Sequence, residues 1–374
     1  RYPFHWHKTG NVAGQYIKNT SIHHSFNRVV TVHSAQNAWI ENNVGYDHVG
    51  HGFFLEDGDE TGCTFKNNLG ILTKKPTANE QVRPHDVEPD GLYFKLPATY
   101  WITNPKNNFI GNVAAGSEGS GFWMVILDHV MDNDTSAYIP GKQLMGVFDD
   151  NRSHSTGFSN FAIDRSVDAT THELKDAFGH YRPFNADGTA FVPKFNRFVS
   201  YKARDRGIWI RGNRMEFHDC ISADNGRATF FAYNQIMYNS LIVGRSSNNG
   251  NPVTATEISE NYALPAPASL ATGMRGHSIY DGSSGIVNVH FAGFSGKYNY
   301  ALQTNGAAQK STSHFASGIT FDSAIPENNK ADFSPGAVNG YMMGSGLIDE
   351  DGSLTGTVGT QIFPRLPLDS TSFN

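Results

Sequence analysis

The sequence predicts an all-β protein, and its composition and an internal repeat are the two observations that support this fold class. Hydrophobic residues make up 39% of the 374 residues and charged residues only 17%, with 38 glycines and 12% aromatic residues. This composition is typical of many short strands joined by turns. Three segments repeat along the chain, which are YIKNTSIHH, WIENNVGYD and TFKNNLGIL. A two-strand unit that returns every 23 to 25 residues has the length of one coil of a parallel β-helix.

The first three coils define the register of this predicted solenoid. Asn19, Asn42 and Asn67 occupy the same place in the three segments, so we expect them to stack on consecutive coils and to form a side-chain ladder at a turn. A second strand, VVTVHS and then FFLEDG, follows the first two segments at a fixed offset of 14 residues. His33 and Glu56 are therefore predicted to stack on consecutive coils as well.

Longer intervals between later coils predict loops that leave the solenoid. The third coil should continue near residue 81, but a proline-punctuated, charged stretch intervenes before the strand TYWITN. Loops of this length usually carry function rather than fold. The chain contains four such excursions, near 73–99, 130–145, 166–194 and 245–278.

The remaining organisation is simple. We interpret residues 1–374 as a single β-helix domain whose C-terminal segment is irregular from about residue 325. Because the first residue is Arg1 rather than Met, the chain is expected to be a fragment of a longer protein. THELKDAF, inside the third excursion, predicts a helix that starts at Thr171.

Charge and cysteine content limit the classes of function. The net charge is −6 and the pI about 6.2, which argues against a general nucleic-acid binder or anionic-membrane binder. The sequence has no apolar run long enough to predict a membrane span. Cys63 and Cys220 form neither a CxxC motif nor a disulfide framework. A polyanionic substrate would therefore need a local cationic groove.

Strand alternation gathers histidines and a carboxylate on one face of the first coils. If the apolar residues of these strands point inward, His7, His33 and Glu56 point outward on consecutive rungs, and His5 lies in the neighbouring column. Two histidines and one carboxylate are the ligands of a facial site for Zn, Fe or a similar divalent ion. The predicted metal ligands are therefore His5, His7, His33 and Glu56. Proton transfer without a metal and simple surface decoration are the two alternatives.

A second group of residues is predicted to bind substrate. The run KARDRGIWIRGNR is basic in an acidic chain, and guanidinium groups suit a carboxylate, although a solvated salt-bridged face is the alternative. Tryptophans near the excursions suit stacking on sugar rings, with core filling as the alternative. Polar residues in glycine- or serine-rich turns complete the group. Its members are Arg206, Arg211, Trp123, Trp209, Glu118 and His154.

Several motifs, in the same order over most of residues 1–325, resemble the cell-surface and secreted hyaluronidase family. They are RYPFHWH, SIHHSFNRVVTVH, VGYDHVGHGFFLEDG, NPKNNFIGNVAAGSEGSGFW, RGIWIRG, SADNG and YDG. The resemblance implies a right-handed parallel β-helix that follows another domain, and an endo-acting depolymerase of hyaluronan. It also implies calcium dependence, which is attributed to the family's membrane-bound member. The scarcity of cysteine favours a microbial rather than a vertebrate relative.

Taken with the residues above, the resemblance predicts a secreted or cell-surface hydrolase of a uronate-containing polysaccharide, hyaluronan or a similar glycosaminoglycan. Hydrolysis needs one group to protonate the glycosidic oxygen and another to activate water or attack the sugar. The predicted catalytic residues are Glu56, Asp57, His33 and His51. A lyase would instead neutralise the uronate with Arg211 and use a histidine or a metal near C5. A non-catalytic carbohydrate-binding or adhesive solenoid is the third possibility.

Overall fold

In the computed structural model of the chain, most strands pair in parallel with the strand one coil further along. The structure describes residues 2–86, 97–133, 136–177, 181–248, 273–304, 314–333, 336–338, 341–343 and 346–362. Within these residues the strands form three parallel ladders, to which successive coils contribute in turn. The parallel β-helix that the repeat predicts is confirmed.

The first ladder consists of β1 (Phe4–Asn11), β4 (Val30–Gln36), β7 (Phe53–Leu55), β10 (Ala98–Ile102), β13 (Ser120–Met124), β16 (Ser159–Ile163), β21 (Arg206–Arg211), β24 (Arg227–Ala232), β26 (Arg275–Asp281), β28 (Tyr300–Thr304) and β31 (Ala331–Asp332). The second consists of β2 (Tyr16–Lys18), β5 (Trp39–Glu41), β8 (Thr64–Lys66), β11 (Asn108–Ile110), β14 (Phe148–Asp149), β19 (Lys194–Asn196), β22 (Met215–His218), β25 (Gln235–Val243), β27 (Ser284–Ala292), β29 (His314–Ser317) and β34 (Leu347–Asp349), with β35 (Thr360–Ile362) antiparallel to β34.

The third ladder consists of β3 (Ser21–Ser25), β6 (Val44–Val49), β9 (Leu69–Lys74), β12 (Val113–Ser117), β15 (Arg152–Thr156), β20 (Val199–Tyr201), β23 (Ile221–Ala223) and β30 (Thr320–Phe321), and the ends of the long strands β25 and β27 continue it. Within the described part of the chain, two antiparallel hairpins lie outside the ladders, β17 (Ser166–Val167) with β18 (Leu174–Lys175) and β32 (Gly336–Val338) with β33 (Tyr341–Met343). The helical elements of the same part are one turn, α1 (Glu327–Lys330), and two 3₁₀ turns (Pro84–Asp86 and Pro140–Lys142). Among the described residues, no helix has the length and apolar character that a membrane crossing requires.

Inward-pointing side chains from consecutive coils stack into columns and form the core. In the first ladder, Val30 pairs with Phe53, which pairs with Tyr100 and then Phe122. The three rings stack with centroids 4.8 and 4.3 Å apart, close to the spacing of neighbouring strands. All four side chains are buried, and burial of apolar surface is the dominant favourable term in folding.

Asparagines shape the turn between the second and third ladders at two adjacent positions. Asn19, Asn42 and Asn67 follow paired strands as predicted and adopt φ of 54°, 57° and 54°, a left-handed conformation that asparagine tolerates. Their side chains are exposed, so the prediction that they form the ladder is wrong by one residue. Each ladder amide donates to the Oδ1 of the next member at 2.9 to 3.0 Å, and the members are Asn43, Asn68, Asn112 and Asn151.

The outward face of the first ladder is covered by excursions, which creates a second core. A column of large rings runs along this face from coil to coil, formed by Phe54, Trp101, Trp123, Trp209 and Phe230. Apolar residues from the excursions pack on it, and these are Val125, Leu127, Met131, Val167 and Leu174. The outward face of the first ladder is therefore buried beneath the excursions along much of its length.

The intervals between ladder strands are long at four places, 75–97, 125–147, 164–193 and 244–274. Residues 249–272 lie outside the described residues, so the fourth predicted excursion is described only at its ends. The predicted helix at Thr171 is wrong: the segment forms the hairpin β17–β18, because Asp168 accepts hydrogen bonds from the N–H groups of Thr170 and Thr171 and closes a turn. Beyond residue 325 the described part holds α1, β31, the hairpin β32–β33, β34 and β35. The single-domain interpretation stays a prediction.

The asparagine ladder should contribute measurably to stability. Asn68→Ala removes four side-chain hydrogen bonds and leaves the buried N–H of Asn43 without its acceptor. We expect the free energy of unfolding to fall by about 2–4 kcal/mol, measured by urea denaturation. The control is Asn67→Gly, an exposed neighbour whose φ of 54° suits glycine, and it should stay within about 0.5 kcal/mol. Equal losses in both variants would contradict the role of the ladder.

Candidate functional site

The first three strands of the first ladder bring histidines and a carboxylate together on their outward face. His7 pairs with His33 in the register between β1 and β4, and His5 lies two residues earlier on the same face. Glu56 follows β7 directly, and its N–H donates to the carbonyl of Val32 at 3.0 Å. Glu56 therefore lies beside His33 on the next coil. The predicted stacking of these two residues is confirmed.

A cavity of about 440 Å³ lies over this face. Val82 and Arg83 form one of its walls, and they belong to the excursion that follows β9. The opposite wall belongs to the first coils, whose backbone is fixed by ladder hydrogen bonds. Among the described residues, the cavity is lined by Tyr2, His5, His7, His33, Glu56, Val82 and Arg83.

Polar contacts link the exposed histidines to the buried carboxylates. Nδ1 of His7 lies 3.0 Å from Nδ1 of His33. Nε2 of His33 lies 2.7 Å from Asp57, and its Nδ1 lies 3.4 Å from Glu56. Burial by itself would lower the pKa of His33, but the carboxylates of Asp57 and Glu56 outweigh it and raise that pKa. Burial, with the neighbouring histidines, lowers the pKa of His5 to about 4, so His5 is neutral near pH 7.

Arg83 covers the carboxylates from the excursion. Its Nε donates to Oε1 of Glu56 at 2.7 Å, and its Nη2 lies 3.8 Å from Asp57 and 3.2 Å from Asp132. The other carboxylate oxygen of Glu56, Oε2, is buried and has no hydrogen-bond partner among the described residues. Glu56 therefore offers one oxygen to Arg83 and keeps one available beside His33.

Glu60, which the sequence did not single out, shapes the turn that carries these carboxylates. It accepts hydrogen bonds from the N–H groups of Ser34, Asp57 and Gly58, at 3.0, 2.9 and 2.8 Å. Gly58 has a φ of +93°, which favours glycine in this turn. Burial, reinforced by the charge of Asp59, raises the pKa of Glu60 to about 8. The acidic run EDGDE, with glycine at its centre, is the sequence signal for this turn.

A buried ion pair, which we call the anchor, fixes the excursion to the coils. Nη2 of Arg28 donates to Oδ1 of Asp86 at 2.6 Å, and both side chains are fully buried. Burial alone would raise the pKa of Asp86, but the Arg28 guanidinium holds it well below its usual range. Because Asp86 ends the segment that carries Arg83, the anchor also fixes the wall of the cavity. In the sequence, the long 73–99 interval was the signal that Arg83 and Asp86 lie in a functional excursion.

His51, predicted to be catalytic, lies beside the anchor and not in the cavity. Its Nδ1 accepts a hydrogen bond from the N–H of Ala98 at 3.0 Å, and its Nε2 lies 3.6 Å from Asp86. The ring contacts the rings of Phe54 and Trp101. Burial lowers the pKa of His51 well below its ordinary value. This position does not support direct contact with a substrate, because the side chain is fully buried.

The tryptophans predicted to stack on sugars lie in the outer core instead. Nε1 of Trp123 donates to the carbonyl of Asp164 at 3.1 Å, and Nε1 of Trp209 donates to the carboxylate of the same residue at 2.6 Å. The guanidinium of Arg206 lies 4.2 Å from the Trp209 ring centroid. Arg211 contacts the Asp164 carboxylate at 3.5 Å. Core filling, the alternative given above for the tryptophans, describes Trp123 and Trp209 better. Arg206 and Arg211 are largely buried, so the solvated salt-bridged face given as their alternative does not describe them.

Glu118 and His154 lie on the third ladder and its turns, apart from the cavity lining. Glu118 accepts a hydrogen bond from the N–H of Lys75 at 2.7 Å, at the start of the excursion. His154 stacks on Tyr201 with ring centroids 4.5 Å apart. Their role in substrate binding stays a prediction.

Three groups of residues within the described part of the chain have potential metal-ligand atoms within 4.8 Å of one another. His5, His7 and His33 form one group, and His33, Glu56 and Asp57 form another. These sets differ from the predicted triad of His7, His33 and Glu56. His5 replaces Glu56 in the first set, and Asp57 replaces His7 in the second. The third group belongs to the anchor. Calcium prefers oxygen ligands, and every group contains imidazole, so these residues do not fit the calcium that the resemblance implies.

Comparison with known proteins agrees with the motifs. Residues 1–161 match a family model described as CEMIP beta-helix. The chain carries a CEMIP β-helix domain. The matched residues include every lining residue named above and the anchor, so both features lie within the CEMIP β-helix domain.

Curated relatives cover most of the chain. The human "Cell migration-inducing and hyaluronan-binding protein" is 31% identical over 86% of this chain and 28% of its own length. The "Cell surface hyaluronidase" of Danio rerio is 30% identical over 79% of this chain and 24% of its own length. Mouse "Fibrocystin-L" is 30% identical over 61% of this chain and 5% of its own length. The chain thus spans less than a third of these relatives, and the resemblance to the cell-surface and secreted hyaluronidase family is confirmed.

The anchor should dominate the stability of the region around the cavity. Asp86→Asn leaves Arg28 as a buried, uncompensated charge, so we expect a loss of about 3–5 kcal/mol in the free energy of unfolding, measured by urea denaturation. The control is Glu41→Gln, which removes a carboxylate from a solvent-accessible ion pair with Lys18 and should cost about 0–1 kcal/mol.

The same pair predicts a pH dependence. Because the folded pKa of Asp86 is depressed, its stabilising contribution is present above the unfolded value near 4 and is lost as the pH falls towards the folded value. Asp86→Asn should therefore flatten the acid limb of the stability profile. An unchanged acid limb would show that the Arg28–Asp86 pair does not govern it.

Proposed function

We propose that this chain is the β-helix of an extracellular, endo-acting hydrolase that depolymerises a uronate-containing polysaccharide, hyaluronan or a similar glycosaminoglycan. The printed names of two relatives, a hyaluronan-binding protein and a cell surface hyaluronidase, support the substrate class and the location. The order of shared motifs over most of the chain supports the same conclusion.

The observation that carries the proposal is the cavity that holds one carboxylate and three imidazoles. Glycoside hydrolysis needs a group that activates water or attacks the sugar, and a second group that assists departure of the leaving oxygen. Glu56 lines the cavity and has a free oxygen, so it is assigned the first role. The histidine cluster supplies the second. Asp57 is not part of the cavity lining and contacts His33, so it is assigned a positioning role.

Arg83 is the cation that the cavity offers to a uronate carboxylate. Its side chain is 21% exposed, and one of its partners, Asp132, is 31% exposed. Guanidinium groups bind carboxylates through two parallel hydrogen bonds. A substrate carboxylate that takes the place of Asp132 would keep the contact of Arg83 with Glu56. This role is assigned to Arg83 rather than to Arg211, because Arg83 lines the cavity, whereas Arg211 contacts Asp164 and Asp176 away from it.

Elimination is the second candidate reaction, and one observation favours it. Arg83 lies in the same cavity as Tyr2 and the histidines, which is the combination of charge neutralisation and a base that a lyase needs. Burial, followed by the charge of Glu56, raises the pKa of Tyr2, which disfavours Tyr2 as that base. A histidine could still serve as that base, and hydrolysis is the preferred assignment because the resemblance to the hyaluronidase family points to it.

Glu56 should be required for activity. Glu56→Gln keeps the shape and an oxygen for Arg83 but removes the charge, and we expect kcat on hyaluronan to fall by about 10²- to 10⁴-fold. The measurement is the rate of new reducing ends, with an unchanged melting temperature as the test of folding. Glu41→Gln, on the second ladder, is the matched control and should retain activity. Full activity of Glu56→Gln would remove Glu56 from the mechanism.

The products should identify the reaction. Hydrolysis raises the number of reducing ends without an ultraviolet-absorbing unsaturated uronate, whereas elimination produces one such group for each cleavage. We expect hydrolysis, with a rapid fall in polymer length, which marks endo cleavage. Binding of intact hyaluronan without any new chain ends would instead support a non-catalytic carbohydrate-binding solenoid.

A further inference from the structure

We infer that His5, His7 and His33 form a binding site for one divalent transition-metal ion of the zinc or iron type, open to the cavity. Nothing in the relatives' names refers to such an ion. Binding of the ion does not depend on the proposed function, and only its part in catalysis rests on that function.

The geometry of the three imidazoles carries this inference. One nitrogen from each ring lies within 4.8 Å of the others, and the Nδ1 atoms of His7 and His33 are 3.0 Å apart. Two nitrogens bound to one ion at about 2.0–2.1 Å can adopt that separation. His5 and His7 are exposed and come from β1, whereas His33 is buried and comes from β4. The ladder register therefore brings the donors together without a long loop.

Asp57 orients His33 for this purpose. Its carboxylate lies 2.7 Å from Nε2 of His33, a position that favours the ring proton on Nε2 and leaves the lone pair of Nδ1 for an ion when the ring is neutral. Metal-bound histidines characteristically use their second nitrogen in this way, towards a carboxylate that fixes the tautomer and raises the basicity of the ligand. The Nδ1 atom is the one that faces His7.

Glu56 supplies a second, independent indication. Its Oε2 lies 3.4 Å from Nδ1 of His33, is buried, and has no hydrogen-bond partner in the described part of the chain. A buried carboxylate oxygen without a donor is costly unless a cation or a proton donor satisfies it. An ion on the three histidines, or a water bound to that ion, would satisfy it. Three protein ligands and an open position are the arrangement of catalytic zinc sites.

The neighbouring anchor does not form such a site, although His51, His85 and Asp86 also cluster. Nδ1 of His51 accepts the N–H of Ala98, so the neutral ring carries its proton on Nε2, the nitrogen that faces Asp86. A metal on that nitrogen would require loss of the remaining ring proton. The cluster is also fully buried, which leaves no open coordination position.

If the proposed hydrolase activity is correct, a metal ion held by His5, His7 and His33 would supply the second catalytic group, because it would make a bound water acidic enough at neutral pH for proton transfer to the leaving oxygen. Glu56, which lies 3.4 Å from His33, would remain the group that activates the attacking water or attacks the sugar, and Asp57 would act through His33.

The test measures metal binding without substrate. The full chain, without a polyhistidine tag, is stripped with a chelator and titrated with Zn²⁺ by calorimetry, and bound metal is measured by elemental analysis after dialysis. We expect one equivalent in the wild type, loss of this equivalent in His7→Ala and His33→Ala, and an affinity about 10- to 100-fold lower in Asp57→Asn. Co²⁺ loading should give the visible absorption of a nitrogen-ligated ion in the wild type but not in His7→Ala.

The matched control is the double variant His23→Ala and His24→Ala. This exposed pair also has two Nδ1 atoms close together, at 2.9 Å, but lies on the third ladder and belongs to none of the three ligand groups. It should retain the full equivalent. Absence of stoichiometric Zn²⁺ and Fe²⁺ binding, or its loss in this control alone, would overturn the inference. A protein that binds the ion but does not cleave hyaluronan would refute the proposed function and leave the metal site standing.

Discussion

The register between coils is the constraint on which the other features depend. Successive strand residues face opposite sides, so a slip of one residue in β1 against β4 would turn His5 and His7 towards the core and take Trp6 out of it. The aromatic stack through Tyr100 on the inside and the asparagine ladder through Asn68 at the turn oppose slips of the same kind between the following coils. The candidate site is the outward counterpart of the same register.

The excursions convert an exposed sheet face into a cavity. The first ladder presents its outward rings to loop residues over several coils, while at β1 and β4 the polar side chains border a cavity. The anchor determines where this change occurs, because Arg28 and Asp86 pair beside the polar column. A buried ion pair contributes little net stability over an apolar alternative, but it gives the loop one defined position. A single position of the loop keeps Arg83 beside Glu56, and the candidate site depends on that contact.

Local pattern and long-range contact differ in how well the sequence predicts them. The 14-residue offset and two-residue alternation correctly predicted the contact of His33 with Glu56, because His33 lies in β4 and Glu56 directly follows β7, where the strand register continues. The asparagine ladder was misplaced because a left-handed residue such as Asn42 interrupts the alternation and turns the next side chain inward. Trp123 was predicted to stack on sugars because it lies near an excursion, but the local pattern does not reveal that excursions cover the face on which it lies. The roles of Arg83 and Asp86 depend on contacts across more than 25 residues of chain, which no local pattern contains.

The cavity draws its first wall from three successive coils, and this restricts how such a chain can lengthen by duplication. A whole coil added after β10 would extend the solenoid and leave the histidines, Glu56 and Arg83 in contact. The same coil added between β1 and β7 would separate the histidines from Glu56 by a further strand spacing of about 4.8 Å, beyond hydrogen-bond reach. Coil number is therefore constrained from β1 to β10 and free to change beyond β10. Within this repetitive solenoid, the coils that carry the candidate site cannot be duplicated or deleted without loss of the site.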